Sequence, residues 1–240
     1  MQNTEIIILA AGKGTRMDSD LPKCLIEVKG EPMIQRLLSN LESKLINKPI
    51  VVVGHKAEQV KDFLSNRVRY VHQEEQKGTG HAALTALPEV LPGTKYVVVL
   101  YADHPFVSSE TIEKLIEKLE SHPVAIVTTY AEDFEGWRKI FKHWGRIIYS
   151  PQGMIKGIVE YRDASEDIRS INRINPGFYA FHIDWLRDSL NKVKPNNTQG
   201  EYYLTDVIEM AKSIGEVEIG LFEAMGLNSK EEVQYAESLI

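Results

Sequence analysis

At 240 residues the chain has room for one large domain with a well-buried core, and 43% hydrophobic with 26% charged residues points to neither disorder nor a membrane protein. A net charge of -6 argues against a nucleic-acid-binding surface, which needs a basic footprint, so local basic clusters matter more than the total. The single cysteine, Cys24, excludes an internal disulfide and any multi-cysteine metal site; with no apolar run near the roughly 20 residues of a spanning helix and no signal-peptide pattern at the N-terminus, a cytoplasmic location is the expectation.

The apolar run Glu5 to Leu9 reads as a buried strand, and Ala10, Ala11, Gly12 and Gly14 then keep side chains away from whatever the backbone approaches. This is a phosphate-loop composition, to which Lys13, Arg16 and Lys23 add cations; an ordinary strand-to-helix turn with solvated basic residues is the alternative. Lys29 to Pro32 forms a turn, and Met33, Ile34, Leu37, Leu38, Leu41 and Leu45 then make one helical face. Pro49 to Gly54 is a second buried strand, Ala57 to Leu64 a helix, and Val68 to Val71 a third strand. A second glycine loop, Gln76 to His81, opens a helix to Leu87, and Tyr96 to Asp103 follows as a strand.

Strands apolar on both faces and alternating with helices imply a Rossmann-like α/β fold, a mostly parallel sheet flanked by helices, in which ligands sit beyond the carboxyl ends of the strands. Both glycine loops and Asp103 fall at those ends. The spacing predicts a helix from Ser108 to Leu119 with a serine cap, then a strand at 124–129. Beyond it the rhythm changes: residues 145–150 and 154–160 alternate around a Pro-Gln-Gly turn like a β-hairpin, the start of a small β-rich half on the substrate side. Ile174 to Phe181 reads as a strand, helices follow at 185–191 and 204–213, and a strand at 217–222 and a helix at 229–239 close the chain. No linker divides it, so one domain is expected, with residues 1–130 as a nucleotide-binding half, 131–228 as the substrate-side half and 229–240 as a C-terminal helix.

Asp103 ends an apolar strand and precedes His104-Pro105; alone it is a turn cap, but beside two glycine loops and a cationic cluster it is a candidate ligand for a hard cation. His81, His104 and His143 have no zinc spacing and read as structural residues, as Cys24 reads as packing. Trp137 and Trp144 suit either stacking on a ligand or packing. Glu201-Tyr202-Tyr203 either supports the site or starts the helix at Leu204.

Leu9-Ala10-Ala11-Gly12-Lys13-Gly14-Thr15-Arg16-Met17 with Pro22-Lys23 resembles the signature of the sugar-nucleotidyltransferases. Gln73 with Gly78 to Ala82, Tyr101-Ala102-Asp103, Gly145-Arg146-Ile147, Gly157 to Glu160, Gln199 to Asp206 and Gly226-Leu227-Asn228 are similar to the uridylyltransferase domain of the bifunctional bacterial N-acetylglucosamine-1-phosphate enzyme. The resemblance implies the nucleotide-diphospho-sugar transferase fold and a Mg²⁺-dependent transfer of UMP from UTP to a sugar-1-phosphate. TTP or CTP, another phosphorylated acceptor, or a catalytically silent nucleotide-binding regulator are the alternatives. It implies that Leu9, Ala10, Ala11, Gly12 and Gly14 line the nucleotide, that Arg16 and Lys23 hold its phosphates, and that Gln73, Gly78 and Thr79 meet the base, where a glutamine amide can donate and accept. Asp103 and Asn228 are then the Mg²⁺ ligands, and Arg16, Lys23 and Asp103 the catalytic set; Gly145, Glu160, Asn175 and Tyr101 bind the sugar phosphate, with Asn228 beside it.

Residues 131–144 are longer and more aromatic than the family's loop, Pro176 replaces a small hydroxyl residue, and Lys77 replaces an aliphatic near the base. No hexapeptide repeat follows Asn228 in these 240 residues, so neither acetyltransferase activity nor its trimer contacts are expected, and a monomer or weak oligomer is.

Overall fold

The computed structural model describes all of residues 1–240. In its first half strands and helices alternate: β1 (Thr4–Leu9), the short ribbon β2 (Glu27–Val28) and β3 (Glu31–Pro32), α1 (Met33–Glu42), β4 (Ile50–Val53), α2 (Ala57–Leu64), β5 (Arg69–His72), α3 (Thr79–Ala86), β6 (Tyr96–Tyr101), α4 (Ser109–Lys118) and β7 (Val124–Tyr130). The second half contributes the hairpin β8 (Arg146–Tyr149) and β9 (Ile155–Val159), α5 (Glu166–Arg169), β10 (Arg173–Ile174), β11 (Tyr179–His182), α6 (Ile183–Leu190), β12 (Ile214–Glu218), α7 (Leu221–Ala224) and α8 (Lys230–Leu239).

Ten strands form one sheet in the order β5-β4-β1-β6-β11-β7-β10-β8-β9, with β12 also paired to β7. The first four run parallel, and β11 enters antiparallel between β6 and β7. The expected mostly parallel, helix-flanked α/β sheet is therefore the observed one, and the hairpin extends it through β10.

The alternation of each strand sorts its residues onto two faces. Ile6, Ile8, Val51, Val53, Val98 and Leu100 pack with α1, α2 and α4, while Ile7, Leu9, Ile50, Val52, Val97 and Val99 pack with α3 and α6. A third buried cluster joins distant segments: Met17 of the first loop, Ile140 and Phe141 of the 131–144 stretch, Ile174, and Met225 and Leu227 near the C-terminus. It anchors the substrate-side wall to both ends of the chain.

Three expectations change. The strand read from Ile174 to Phe181 is split, because Pro176 has no N–H for the ladder and Gly177 turns at φ +93, where a Cβ would lie 2.9 Å from the Tyr101 ring. The helix read at 204–213 is a 3-10 run, Leu204–Met210, since burial of Leu204, Val207 and Ile208 on one side looks alike in both helix types. Chain continues at once into β12 at Ile214, so the last strand lies three residues earlier than expected, parallel to β7. The serine cap expected at Ser108 is present, its Oγ accepting from Thr111 N–H at 3.2 Å, and Ser229 likewise caps α8 through Glu232 N–H at 3.2 Å.

Candidate active site

The carboxyl ends of β1, β4, β5 and β6 open onto one side of the sheet, and two adjoining cavities of about 630 and 330 Å³ lie there. Tyr101 and Asp103, at the end of β6, line both. The first loop is tied to the sheet by Ala10 N–H donating to Val52 O at 2.9 Å and Ala102 N–H to Leu9 O at 3.0 Å. Leu9, Ala10, Ala11 and Gly12 form one wall of the larger cavity, with Lys13 at its edge, and Gln73, Gly78 and Thr79 form the opposite end. At Gly12 an added Cβ would meet nothing within 4 Å, so the fold itself has no need of glycine there.

Gly14 lines neither of these two cavities. Its backbone is left-handed, and a Cβ would lie 2.7 Å from Lys23 Cβ; its absence makes room for the lysine stem instead of for a ligand. Gly14 instead lines a separate recess with Thr15, Asp18 and Lys13, the residue at the larger cavity's edge. Lys77 also points elsewhere, pairing with Glu75 at 2.5 Å on the surface.

At the base end, buried Gln73 has its amide nitrogen committed. Nε2 donates to Gly78 O at 3.3 Å and faces His81 Nδ1 at 2.8 Å, which leaves Oε1 without a partner. The expected donate-and-accept amide is thereby narrowed to an acceptor. Burial, with Lys77 nearby, lowers the His81 pKa, so the ring is neutral at pH 7 and its Nδ1 can accept from Gln73. Protonation would place N–H against N–H. Apparent affinity for the nucleotide is therefore expected to be flat above pH 7 and to weaken as pH falls below the ordinary histidine value of about 6.5; KM against pH, with the acid limb lost in His81→Asn, checks it.

Thr79 pins the far wall: its Oγ1 accepts from Leu204 N–H at 3.0 Å, and burial pushes up the pKa of the Tyr101 phenol. Gly80 N–H donates to Tyr202 O at 2.8 Å, and Glu201 reaches the cavity, so Glu201-Tyr202-Tyr203 supports the site and does not open an α-helix. Cys24 lines the same cavity as an inert thiol, its pKa pushed up to about 12 by burial.

At the junction, the Lys23 ammonium pairs with Asp103 Oδ2 and donates to Asn228 Oδ1 at 2.7 Å, and Arg16 Nη2 donates to the same Oδ1 at 3.1 Å. Burial alone would raise the Asp103 pKa, but the Lys23 charge and the hydrogen bond from His104 outweigh it and hold the carboxyl well below the usual carboxylate range. Asp103 and Asn228 thus bring two hard oxygen donors to one positive centre, a donor set that fits Mg²⁺, which takes one or two protein oxygens and leaves the rest to phosphates and water. Leu227 N–H donates to Asp103 O at 2.9 Å and fixes this C-terminal segment against β6.

Gly145, Glu160 and Asn175 line the smaller cavity with Arg16 and Asn228. Burial raises the Glu160 pKa; its Oε1 accepts from Thr205 Oγ1 at 3.1 Å, leaving Oε2 free. An added Cβ at Gly145 would press on Ile158 Cγ2 at 3.0 Å and touch the Glu160 carboxylate at 3.5 Å, an ordinary contact distance. Asn175 donates to Tyr179 Oη at 2.7 Å and accepts from Gly177 N–H at 3.1 Å, which leaves one N–H and one lone pair free. Lys139, His143 and Trp144 of the long 131–144 stretch also reach this cavity, whereas Trp137 packs against Phe141. His104, read from the sequence as structural, lines it too and bonds Asp103; Pro105 and the apolar neighbours of His104 offered no sign of that contact. Glu232 was missed because only tertiary packing brings α8 to Arg16.

Two cavities that meet at one carboxylate, with cations on both sides, can hold two phosphorylated molecules for reaction at a shared point, the layout of an enzyme that transfers a phosphoryl or nucleotidyl group. The chain belongs to the MobA-like NTP transferase domain family, which it matches over residues 6–182. It is similar to the bifunctional protein GlmU of Exiguobacterium sp. (strain ATCC BAA-1283 / AT1b), 40% identical over 98% of this chain and 52% of that protein. With the bifunctional protein GlmU of Acetivibrio thermocellus it shares 38% over 97% and 50%, and with that of Enterococcus faecalis 39% over 100% and 52%. The chain thus spans about half the length of the curated relatives it matches. It is a nucleotidyltransferase enzyme. No helix is long and apolar enough to cross a membrane.

Proposed function

We propose that the chain transfers UMP from UTP to N-acetylglucosamine-1-phosphate or a related sugar-1-phosphate and releases pyrophosphate, with Mg²⁺ as cofactor. The observation that carries this reading is the meeting of the two cavities at Tyr101 and Asp103, where Lys23 lies between Asp103 and Asn228. Nucleotide fills the larger cavity and the sugar phosphate the smaller. An oxygen of the sugar-1-phosphate attacks the α-phosphorus in line, the bond to the β-phosphate oxygen breaks, and pyrophosphate leaves. The attacking monoester is already ionised at neutral pH, so no general base is needed.

Lys23 neutralises charge at the α-phosphate and Arg16 on the departing pyrophosphate. Asp103 and Asn228 would hold Mg²⁺, which when bound supplies further neutralisation and Lewis acidity there. Glu160 Oε2 accepts from sugar hydroxyls. The free Gln73 Oε1 is an acceptor, which matches the N3–H of uracil or thymine and opposes the N3 lone pair of cytosine, so UTP is favoured over CTP. Lys139, His143 and Trp144 give the acceptor wall groups of its own, which keeps a related sugar-1-phosphate in view.

Pyrophosphate release across a panel of nucleoside triphosphates and sugar-1-phosphates tests the reading; absence of turnover with UTP and every sugar-1-phosphate would overturn it. Because an added methyl at residue 12 meets no protein atom, Gly12→Ala is expected to leave the unfolding temperature unchanged. The same methyl would stand where nucleotide approaches, raising KM for UTP by about tenfold or more, a loss of ~1.4 kcal/mol.

A further inference from the structure

We infer that His104 is a positioning residue for Asp103: its Nδ1–H holds one carboxylate oxygen and so leaves the other to the cation at the cavity junction. The inference rests on the reading of Asp103 as the carboxylate that faces that cation. His104 Nδ1 lies 2.8 Å from Asp103 Oδ1, while Oδ2 is the oxygen paired with Lys23. The carboxylate can only accept, so the bond puts the proton on Nδ1, and Nε2, which has no acceptor, is left bare.

The surroundings of the ring explain why a bulky apolar residue would serve packing better. His104 is buried, edge-on to Phe178 with centroids 5.0 Å apart and to Trp144 at 5.4 Å, with Tyr101 at 5.8 Å. Its Nε2 is buried with no hydrogen-bond partner. Gly226 presses so close that a Cβ there would lie 2.4 Å from Nε2. A leucine in this aromatic box would leave no orphaned ring nitrogen, which costs stability where it is buried, but it would take from Asp103 Oδ1 its donor. What imidazole adds is the bond to Asp103. Without it the carboxylate rotates about its last torsion, and neither oxygen is held toward Lys23, Asn228 and a bound cation. Trp144 comes from the 131–144 stretch, so the same ring ties the acceptor wall to the carboxylate.

Two measurements on the full chain test this. In ¹⁵N-histidine NMR spectra one buried imidazole is expected to show a protonated Nδ1 and a bare Nε2, a signature altered in Asp103→Asn and missing in His104→Leu. In assays of pyrophosphate release, His104→Leu is expected to raise the half-saturating Mg²⁺ concentration by about tenfold or more, the usual scale for a residue that orients a metal ligand, in a chain that still unfolds cooperatively. His104→Asn, whose amide N–H falls near the position of Nδ1, is expected to restore most of the loss. His104→Gln, whose amide falls near Nε2, is not, and it stands in for His104→Leu should that variant not fold. Unchanged Mg²⁺ dependence in folded His104→Leu, or equal impairment in the Asn and Gln variants, would overturn the proposal. Full activity in Asp103→Asn would instead remove the cation reading of Asp103. If UTP is not turned over at all, the substrate reading fails, and the imidazole spectrum alone decides whether His104 holds Asp103.

Discussion

Asp103→Asn is expected to lower kcat/KM for nucleotidyl transfer by about 10³-fold, the scale seen when one preorganised electrostatic group is removed from a reaction centre. The substitution keeps the shape of the side chain and an oxygen for His104 Nδ1, but it removes the charge that balances Lys23. The folded chain should survive. Asp103 has its pKa depressed by Lys23 and His104 against the effect of burial. Its contribution to stability is therefore complete above the unfolded carboxyl value of about 4 and is lost progressively as pH falls from there through the lower folded value. At neutral pH the parent has this contribution and the variant does not, a difference of about 1–3 kcal/mol. Lys23 keeps its bond to Asn228, which limits the loss. Thermal unfolding at pH 7 and pH 3, read beside pyrophosphate release at 25 °C, separates the two effects: the stability gap should narrow in acid, while the activity gap at neutral pH should not follow from unfolding.

Arg146→Leu should instead act on stability and on the acceptor alone. Arg146 is fully buried and has no carboxylate partner. Its guanidinium donates to Trp144 O at 2.5 Å, Lys142 O at 2.9 Å and Arg169 O at 3.2 Å, and it lies over the rings of Phe134 and Tyr161. Two of these carbonyls belong to the segment that ends in Trp144, the wall of the smaller cavity, and the third ties it to the end of α5. Leucine would fill part of the space and take the donor from three carbonyls, a loss of about 3 kcal/mol. KM for the sugar-1-phosphate should rise about tenfold or more while KM for UTP stays within about twofold, a difference of ~1 kcal/mol between the two sides. Arg146→Lys should not rescue, because an ammonium cannot span three carbonyls as a planar fork does. Urea unfolding and separate KM measurements check both parts. Equal losses for the two substrates would mean that Arg146 supports the whole site and not the acceptor wall.

How far the site could be read in advance follows from the range of the forces that build it. Ala10 to Gly12, Gln73 and Asp103 each follow a strand directly, and consecutive parallel strands put their carboxyl ends side by side; chain order and apolar alternation sufficed to group them. Gly14 belongs to the same motif yet faces Lys23, since motif composition does not say which way a left-handed residue turns. Leu204 to Met210 misled because buried residues three and four apart suit an α-helix and a 3-10 turn alike. Of two tryptophans in one loop, only the packing of Phe141 into the third buried cluster decides that Trp144 and not Trp137 reaches the cavity.

The sequence by itself determined the layered α/β sheet, the edge on which ligands gather, and the cationic, side-chain-poor loop between Leu9 and Leu25, because those depend on local propensity and strand order. Tertiary structure alone decided the rest. It carried Asn228 across 205 positions to Lys23, gave Asp103 an imidazole partner, committed the Gln73 amide nitrogen inward, and drew residues 139–144 against the smaller cavity. Each of these contacts joins segments or rotamers whose pairing is set by the closing of a core, and a core closes only when the whole chain has folded.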